Sequence, residues 1–285
     1  MIRVISAGIY IAVQDLGRQG YGHLGVPISG VMDSYSAKLA NHLLGNNENE
    51  SVLEITLGNT ILVFENKLSI VISGADTQPM ISDNMVNMNR VLEVNTGDVL
   101  KLGKPLYGVR TYVAVKGGFQ TEKVLGSKSW FKNVTEQFLV KKGDVLPVSP
   151  QKGFKTLKNA SVRVDKEHFD ARFIEVYKGP EFDLLSEKQQ NELKNTVFTI
   201  SKDNNRMGYR LVETVENELG SMLTSSVLPG TVQLTPSGTL IVLMRDCQVT
   251  GGYPRVLQLT ENAIDRLSQK STNDTFQFKL VDLNL

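Results

Sequence analysis

Between residues 51 and 148 the apolar residues come in short runs of period two. Leu53–Leu57, Ile61–Phe64, Leu68–Ile72, Val91–Val94, Val99–Leu102 and Val109–Val115 are separated by turn residues such as Asn95-Thr-Gly-Asp98. Side chains that alternate in this way line the two faces of a strand, and Gly, Asn and Asp supply the turns. Many short strands with few helices predict a mainly β fold, a barrel or sandwich.

The same alternation continues near the C-terminus. Strands are expected at Phe173–Tyr177, Val197–Ile200, Leu240–Met244, Val256–Leu259 and Phe276–Val281. Residues 2–13 read as an opening hairpin turned near Ala7-Gly8. Three segments carry helical signals instead. Asp33–Gly45 has an acid at the N-cap and a glycine at its end, Glu181–Asn195 is amphipathic, and Glu261–Gln269 follows a capping Thr260. Residues 149–161 lack periodicity and predict a linker, dividing the chain into domains at 1–160 and 161–285.

One stretch resists both periods. From Val13 to Asp33 there are five glycines, at 17, 20, 22, 25 and 30. Interior glycine costs a helix about 1 kcal/mol against alanine, so the density predicts tight turns or close backbone approach. Within the same stretch sit an acid, a guanidinium and an imidazole: Asp15, Arg18 and His23. They form a candidate catalytic group. A turn region whose Asp15 and Arg18 satisfy each other would carry the same residues.

A second polar cluster joins Arg206, Arg210 and Arg245 to Asp203 and Asp246. Arginine forks bind carboxylate or phosphate bidentately, and equally well fix loops through Arg–Asp pairs. Beside them Gln248, Thr250, Gly251, Gly252 and Tyr253 offer side-chain and backbone donors for an anion or a developing oxyanion. Two short motifs echo each other: Arg18-Gln-Gly-Tyr21 with Arg206-Met-Gly-Tyr209, and Val113-Ala-Val-Lys-Gly-Gly-Phe119 with Cys247-Gln-Val-Thr-Gly-Gly-Tyr253. They predict two related β domains, each with one arginine loop, although the intervals between the motifs differ.

Charge and cysteine content narrow the function classes. A net charge of +1 over 285 residues gives no electrostatic footprint for nucleic acid. The single cysteine, Cys247, excludes an internal disulfide and a cysteine-based zinc site. Nothing announces a metal. Without a signal peptide or a long apolar run, a cytoplasmic protein is expected. Gly97–Lys104 is not a phosphate loop, because five residues separate its glycines and Pro105 stands where Ser or Thr is needed.

Val13-Gln-Asp-Leu-Gly-Arg18, His23-Leu-Gly-Val-Pro27, Met32-Asp33, Leu53-Glu-Ile-Thr-Leu-Gly58, Ser73-Gly-Ala-Asp76, Arg206-Met-Gly-Tyr-Arg-Leu211 and Thr250-Gly-Gly-Tyr-Pro254 together resemble the KipA family. This is also the family of the 5-oxoprolinase C subunit, and of the A and B subdomains of the urea carboxylase carboxyltransferase module. The resemblance runs from about residue 2 to residue 280. It implies two cyclophilin-like β-barrel domains, a KipI-like partner (the B subunit) and a LamB/YcsF-like partner (the A subunit). The implied reaction opens 5-oxo-L-proline to L-glutamate at the expense of ATP. Arg18 or Arg206 would then hold the substrate anion, Gly251 and Gly252 would offer backbone donors, and Asp15 or His23 would handle protons. Asn205 departs from the family pattern, where an acid or serine usually precedes the arginine. A regulatory module that antagonises a kinase inhibitor, and a carboxyltransferase acting on urea or a similar amide, are the competing readings.

Overall fold

The computed structural model describes residues 1–149, 162–220 and 222–282. The expected linker and the 160/161 boundary lie outside them, apart from Ser149. The chain divides into two compact units, Met1–Arg18 with Ser29–Phe169, and Gln19–Ile28 with Asp170–Leu285.

The first unit contains β1 (Ile2–Ser6), β2 (Tyr10–Gln14), α1 (Ser34–Leu44), β3 (Val52–Thr56), β4 (Thr60–Phe64), β5 (Leu68–Gly74), β6 (Met80–Ile81), β7 (Asn84–Met85), β8 (Val91–Val94), β9 (Val99–Leu102), β10 (Arg110–Val115) and β11 (Val145–Leu146). They form a six-stranded sheet in the order β11-β1-β4-β9-β6-β7 and a five-stranded sheet in the order β2-β3-β10-β5-β8. One core contains residues of both sheets, with Ile2, Phe64 and Leu100 from the first and Ile11, Ile55 and Val113 from the second. Helix α1 covers the outer face of the five-stranded sheet, where Ala37, Ala40 and Leu44 cluster with Val52, Val71 and Tyr112.

The opening strands are not a hairpin. β1 pairs with β4 and β11, whereas β2 pairs with β3, so the chain changes sheets at residues 7–9. It changes back between β3 and β4 through Leu57, Gly58 and Asn59, all in the left-handed region. The two crossings pack backbone to backbone. A side chain at Gly8 would lie 2.2 Å from the Gly58 carbonyl oxygen. Alternation alone does not say which sheet a strand joins.

The second unit contains β12 (Phe173–Lys178), α2 (Glu187–Asn195), β13 (Val197–Asn204), β14 (Gly208–Thr214), β15 (Ser225–Ser226), β16 (Thr231–Leu234), β17 (Thr239–Leu243), β18 (Thr250–Gly251), β19 (Arg255–Leu259), α3 (Glu261–Ser268) and β20 (Thr275–Leu280). Seven strands close a barrel in the order β12-β19-β16-β17-β14-β13-β20, and the parallel pair β12–β20 completes it. Phe198, Phe276 and Phe278 stack inside it, with ring centroids 5.2–6.3 Å apart. The fold is mainly β, as the alternation predicts.

The helices follow their caps. Asp33 accepts from Ser36 N at the start of α1, and Gly45 ends that helix in the left-handed region. Thr260 caps α3. The expected helix over Glu181–Asn195 is shorter. A single turn at Phe182–Leu184 precedes it, and α2 starts after Ser186, which forms a capping box with Gln189. The motif echoes are not backbone echoes. Gly117 and Gly118 are left-handed whereas Gly251 and Gly252 are not, and Gly20 is left-handed while Gly208 lies in a strand.

One ion pair ties the turn before α2 to the barrel. Arg255 grips Glu181 with Nε at 3.0 Å and Nη2 at 2.8 Å, and the Arg255 backbone N–H adds a third bond at 2.8 Å. These bonds to Arg255 hold the Glu181 carboxyl below the usual glutamate range, against the opposing effect of its burial. A depressed folded value contributes stability above the ordinary glutamate titration and loses it as pH falls through that range. Glu181→Gln should therefore destabilise the protein at neutral pH and flatten the acid side of its stability profile, measured by urea denaturation between about pH 3 and pH 7.

Candidate functional site

The glycine-rich stretch is held at its start by Asp15. Its carboxylate accepts from Gly17 N at 2.8 Å, Ser127 Oγ at 2.6 Å, Ser129 Oγ at 2.7 Å and Lys128 N at 2.6 Å. Arg18, equally buried, donates through Nη2 to the Ser129 carbonyl. Both side chains therefore engage the loop 127–129. Within the first unit the far end of the stretch returns to the same place, where Val31 N donates to Asp15 O at 2.9 Å. Gly30 sits at that closure with φ +90°, and a Cβ there would come within 2.8 Å of Gly17 N and 3.0 Å of Asp15 O.

The middle of the stretch belongs to the second unit. Gly22–Leu24 form one tight turn that ends at left-handed Gly25. His23 is exposed on it, with Nδ1 3.1 Å from the Gly20 carbonyl oxygen. A carbonyl only accepts, so in the neutral ring Nδ1 carries the proton and Nε2 keeps its lone pair. The turn lies beside the segment 246–253. A Cβ on Gly22 would touch Val249 Cγ1 at 3.9 Å.

That segment is fixed at its base by Arg206. The guanidinium holds Asp246 bidentately, Nε at 2.7 Å and Nη2 at 2.9 Å, and both side chains are almost fully buried. Asp246 N also donates to Arg206 O at 2.8 Å. Cys247 packs with Val227 and Leu243 beneath. Burial and then Asp246 push its thiol up to about 12, so it is no nucleophile at neutral pH. Further along, β18 pairs with β15, while Gln248, Thr250 and Tyr253 face solvent.

The second polar cluster is thereby divided. Arg206 and Asp246 pair with each other. Arg245 reaches α3 instead, at 3.0 Å from Glu261 and 3.2 Å from Asp265. Arg210 is exposed, because the alternation of β14 buries its neighbours Tyr209 and Leu211 in the barrel. Asp203 is exposed as well. Asn205 builds the turn between β13 and β14, accepting from Met207 N at 2.7 Å.

Two groups outside the expected set complete the picture. Gln233 is buried under the twin glycines, with its Oε1 3.5 Å from Gln248 Nε2. A Cβ on Gly251 would lie 2.4 Å from Gln233 Nε2, so the first of these glycines leaves room for this amide. A polar residue within the apolar run Thr231-Val-Gln-Leu234 is the signal for it. In the first unit Glu54 is fully buried and accepts from Tyr112 Oη at 2.9 Å and Met32 N at 2.7 Å. Burial, with Glu54 and Asp33 close by, holds the Tyr112 hydroxyl well above its ordinary range. Asp33 in turn lies 2.9 Å from His168 Nε2. No group of three or more His, Cys, Asp or Glu side chains converges as a metal site among the described residues, and no helix there is long and apolar enough to cross a membrane.

Two stability effects follow. Asp246→Asn removes one partner of a buried pair and should cost about 3–5 kcal/mol in guanidinium denaturation. Gly30→Ala forces a side chain into both a left-handed backbone and a closed turn, and should cost more than about 1 kcal/mol by the same measurement.

Comparison with known proteins places this arrangement. The carboxyltransferase domain, subdomain A and B, family matches residues 24–280. The C subunit of 5-oxoprolinase from Escherichia coli (strain K12) is 35% identical over 278 residues, 94% of this chain and 87% of that protein. The Haemophilus influenzae protein of the same name is 29% identical over 291 residues, 99% of this chain and 92% of its own length. The crystal structure of the Kluyveromyces lactis urea carboxylase superposes with a TM-score of 0.87 at 28% identity, covering 99% of this chain. The match to TTHA0988 has a TM-score of 0.89 at 25% identity and covers 98% of this chain. This chain spans about half of the TTHA0988 chain and about a quarter of the urea carboxylase, 55% and 27% respectively. With the fold matched throughout and the family matched across both units, the chain belongs to the carboxyltransferase domain family, subdomains A and B.

Proposed function

We propose that this chain is the C-type subunit of an ATP-dependent 5-oxoprolinase, working with a KipI-like partner and a LamB/YcsF-like partner. The observation that carries this reading is the match to the 5-oxoprolinase C subunit over 94% of this chain and 87% of the relative. Curated urea amidolyases, by contrast, match over 45–46% of this chain and 7% of their own length.

A lactam carbonyl is a poor electrophile. ATP would supply phosphorylation of the carbonyl oxygen with release of ADP. One water would then add to the activated carbon as the C–N bond breaks and the nitrogen leaves as the protonated amine, and a second water would release inorganic phosphate to give L-glutamate. The chain's own part is positioning and proton handling. His23 Nε2 accepts the proton of the attacking water. Gln248, Thr250 and Tyr253 face solvent on one short segment with Gly251 and Gly252, where their donors and acceptors meet the two edges of the lactam amide. Arg206 acts on that segment through Asp246. Asp15 and Arg18 act by anchoring the start of the glycine-rich loop that bears His23. Arg210, on the exposed side of β14, contributes to substrate binding only when substrate reaches that side.

The test is co-expression with the two partner types and an assay for glutamate release from 5-oxoproline. Release should depend on ATP and on all three proteins. His23→Ala should lower kcat by about 10²- to 10⁴-fold without altering the unfolding midpoint, because its side chain is exposed. The structural match to urea carboxylase favours a second reading, carboxyl transfer to an amide. Carboxylation of urea from carboxybiotin, with no glutamate release, would select it.

A further inference from the structure

The first unit contains a cavity of about 890 Å³ that none of the roles above uses. Arg90, Arg163 and Lys166 line it, against the single carboxylate of Asp165. One oxygen of that carboxylate accepts from Glu167 N at 3.0 Å. None of the three cations forms an ion pair with a carboxylate among the described residues. Like charges gathered around one concave surface repel each other and focus a positive potential into it. A ligand with several negative charges relieves that repulsion. One carboxylate would occupy a single arginine fork, whereas a chain of phosphates can engage three cations at once.

The wall beside the cations is aromatic. Tyr107 lines the cavity, is 39% exposed, and leans on Phe169 with ring centroids 5.1 Å apart. An exposed ring beside cations suits a flat heterocycle carrying phosphates. The volume falls in the range of pockets that enclose ligands of this size. The rim is pinned at both ends. Val162 N donates to Asn89 O at 3.1 Å, and His168 Nε2 meets Asp33 at 2.9 Å. The backbone that carries Arg163 and Lys166 is therefore fixed between two anchors. Gly74, from the Ser73-Gly-Ala-Asp76 motif, also lines the cavity.

We propose that this cavity binds a nucleoside polyphosphate, with Arg90, Arg163 and Lys166 on the phosphates and Tyr107 against the base. The proposal rests on the 5-oxoprolinase reading for its ligand, since that reaction consumes ATP, and it assigns the ATP site to this chain.

The full chain, alone and co-expressed with its partners, is titrated calorimetrically with ATP, adenosine and inorganic triphosphate at fixed ionic strength. ATP should bind, and Arg90→Ala and Lys166→Ala should each weaken it at least tenfold with an unchanged unfolding midpoint. Tyr107→Ala should weaken ATP while leaving inorganic triphosphate unaffected. Absence of ATP binding in both preparations, or an ATP affinity unchanged from wild type in the two cation variants, overturns the site. ATP affinity insensitive to Tyr107→Ala overturns the placement of the base. The two readings fail separately. ATP binding lost in the variants, in a complex that releases no glutamate, keeps this site and removes the 5-oxoprolinase function. Glutamate release with an unchanged KM for ATP in both cation variants keeps the function and removes this site.

Discussion

Asp15 accepts four hydrogen bonds on one buried carboxylate, and the first unit is arranged around them. Three of the donors come from residues 127–129, more than a hundred positions along the chain. The fourth comes from Gly17, at the start of the glycine-rich loop. Polar oxygens taken out of water are costly unless hydrogen bonds replace their hydration, and these four donors do so. The reward is positional, because a loop too rich in glycine to hold its own shape is given a fixed starting point. Gly30 brings the far end back to the same backbone. Both ends of the loop are therefore fixed within the first unit, and His23 lies on the turn in its middle.

The second unit uses a different device for the same purpose. There a buried Arg206–Asp246 fork sets the base of the 246–253 segment, and Gln233 fills the space under Gly251. Such pairs contribute little net stability compared with apolar replacements, but breaking one partner is costly, so they specify geometry more than they strengthen the fold. Glycine at 251 reads from sequence as an open backbone donor. Its closer physical explanation is the amide packed against it.

Local signals are legible in the sequence, and distant ones are not. Asp33, Gly45 and Thr260 mark helix ends because capping acts over three or four residues. Strands such as Val91–Val94 and Val99–Leu102 match their expected bounds, since alternation is a property of the strand itself. Sheet membership is not local, and β1 and β2 look like partners in sequence although they lie in different sheets. The candidate residues can be picked out from the sequence, yet their partners are hidden in it. Nothing in sequence joins Asp15 to Ser127, or Asp33 to His168 across 135 positions. The division of Arg206, Arg210 and Arg245 into a buried fork, an exposed group and a helix anchor depends on strand register and on where α3 docks. Gln233 is detectable in principle, as one amide in a buried apolar strand.

The barrel of the second unit is closed by its first and last strands running side by side in the same direction, Phe173 opposite Gln277 and Val176 opposite Leu280. The last strand also pairs with β13 on its other side. During synthesis, until Thr275–Leu280 has left the ribosome, both flanking strands present open edges with unmet backbone groups. An open sheet of this kind is a template for pairing with other chains. The docking of this one strand thus decides whether six strands finish as a sealed cylinder or recruit a neighbour.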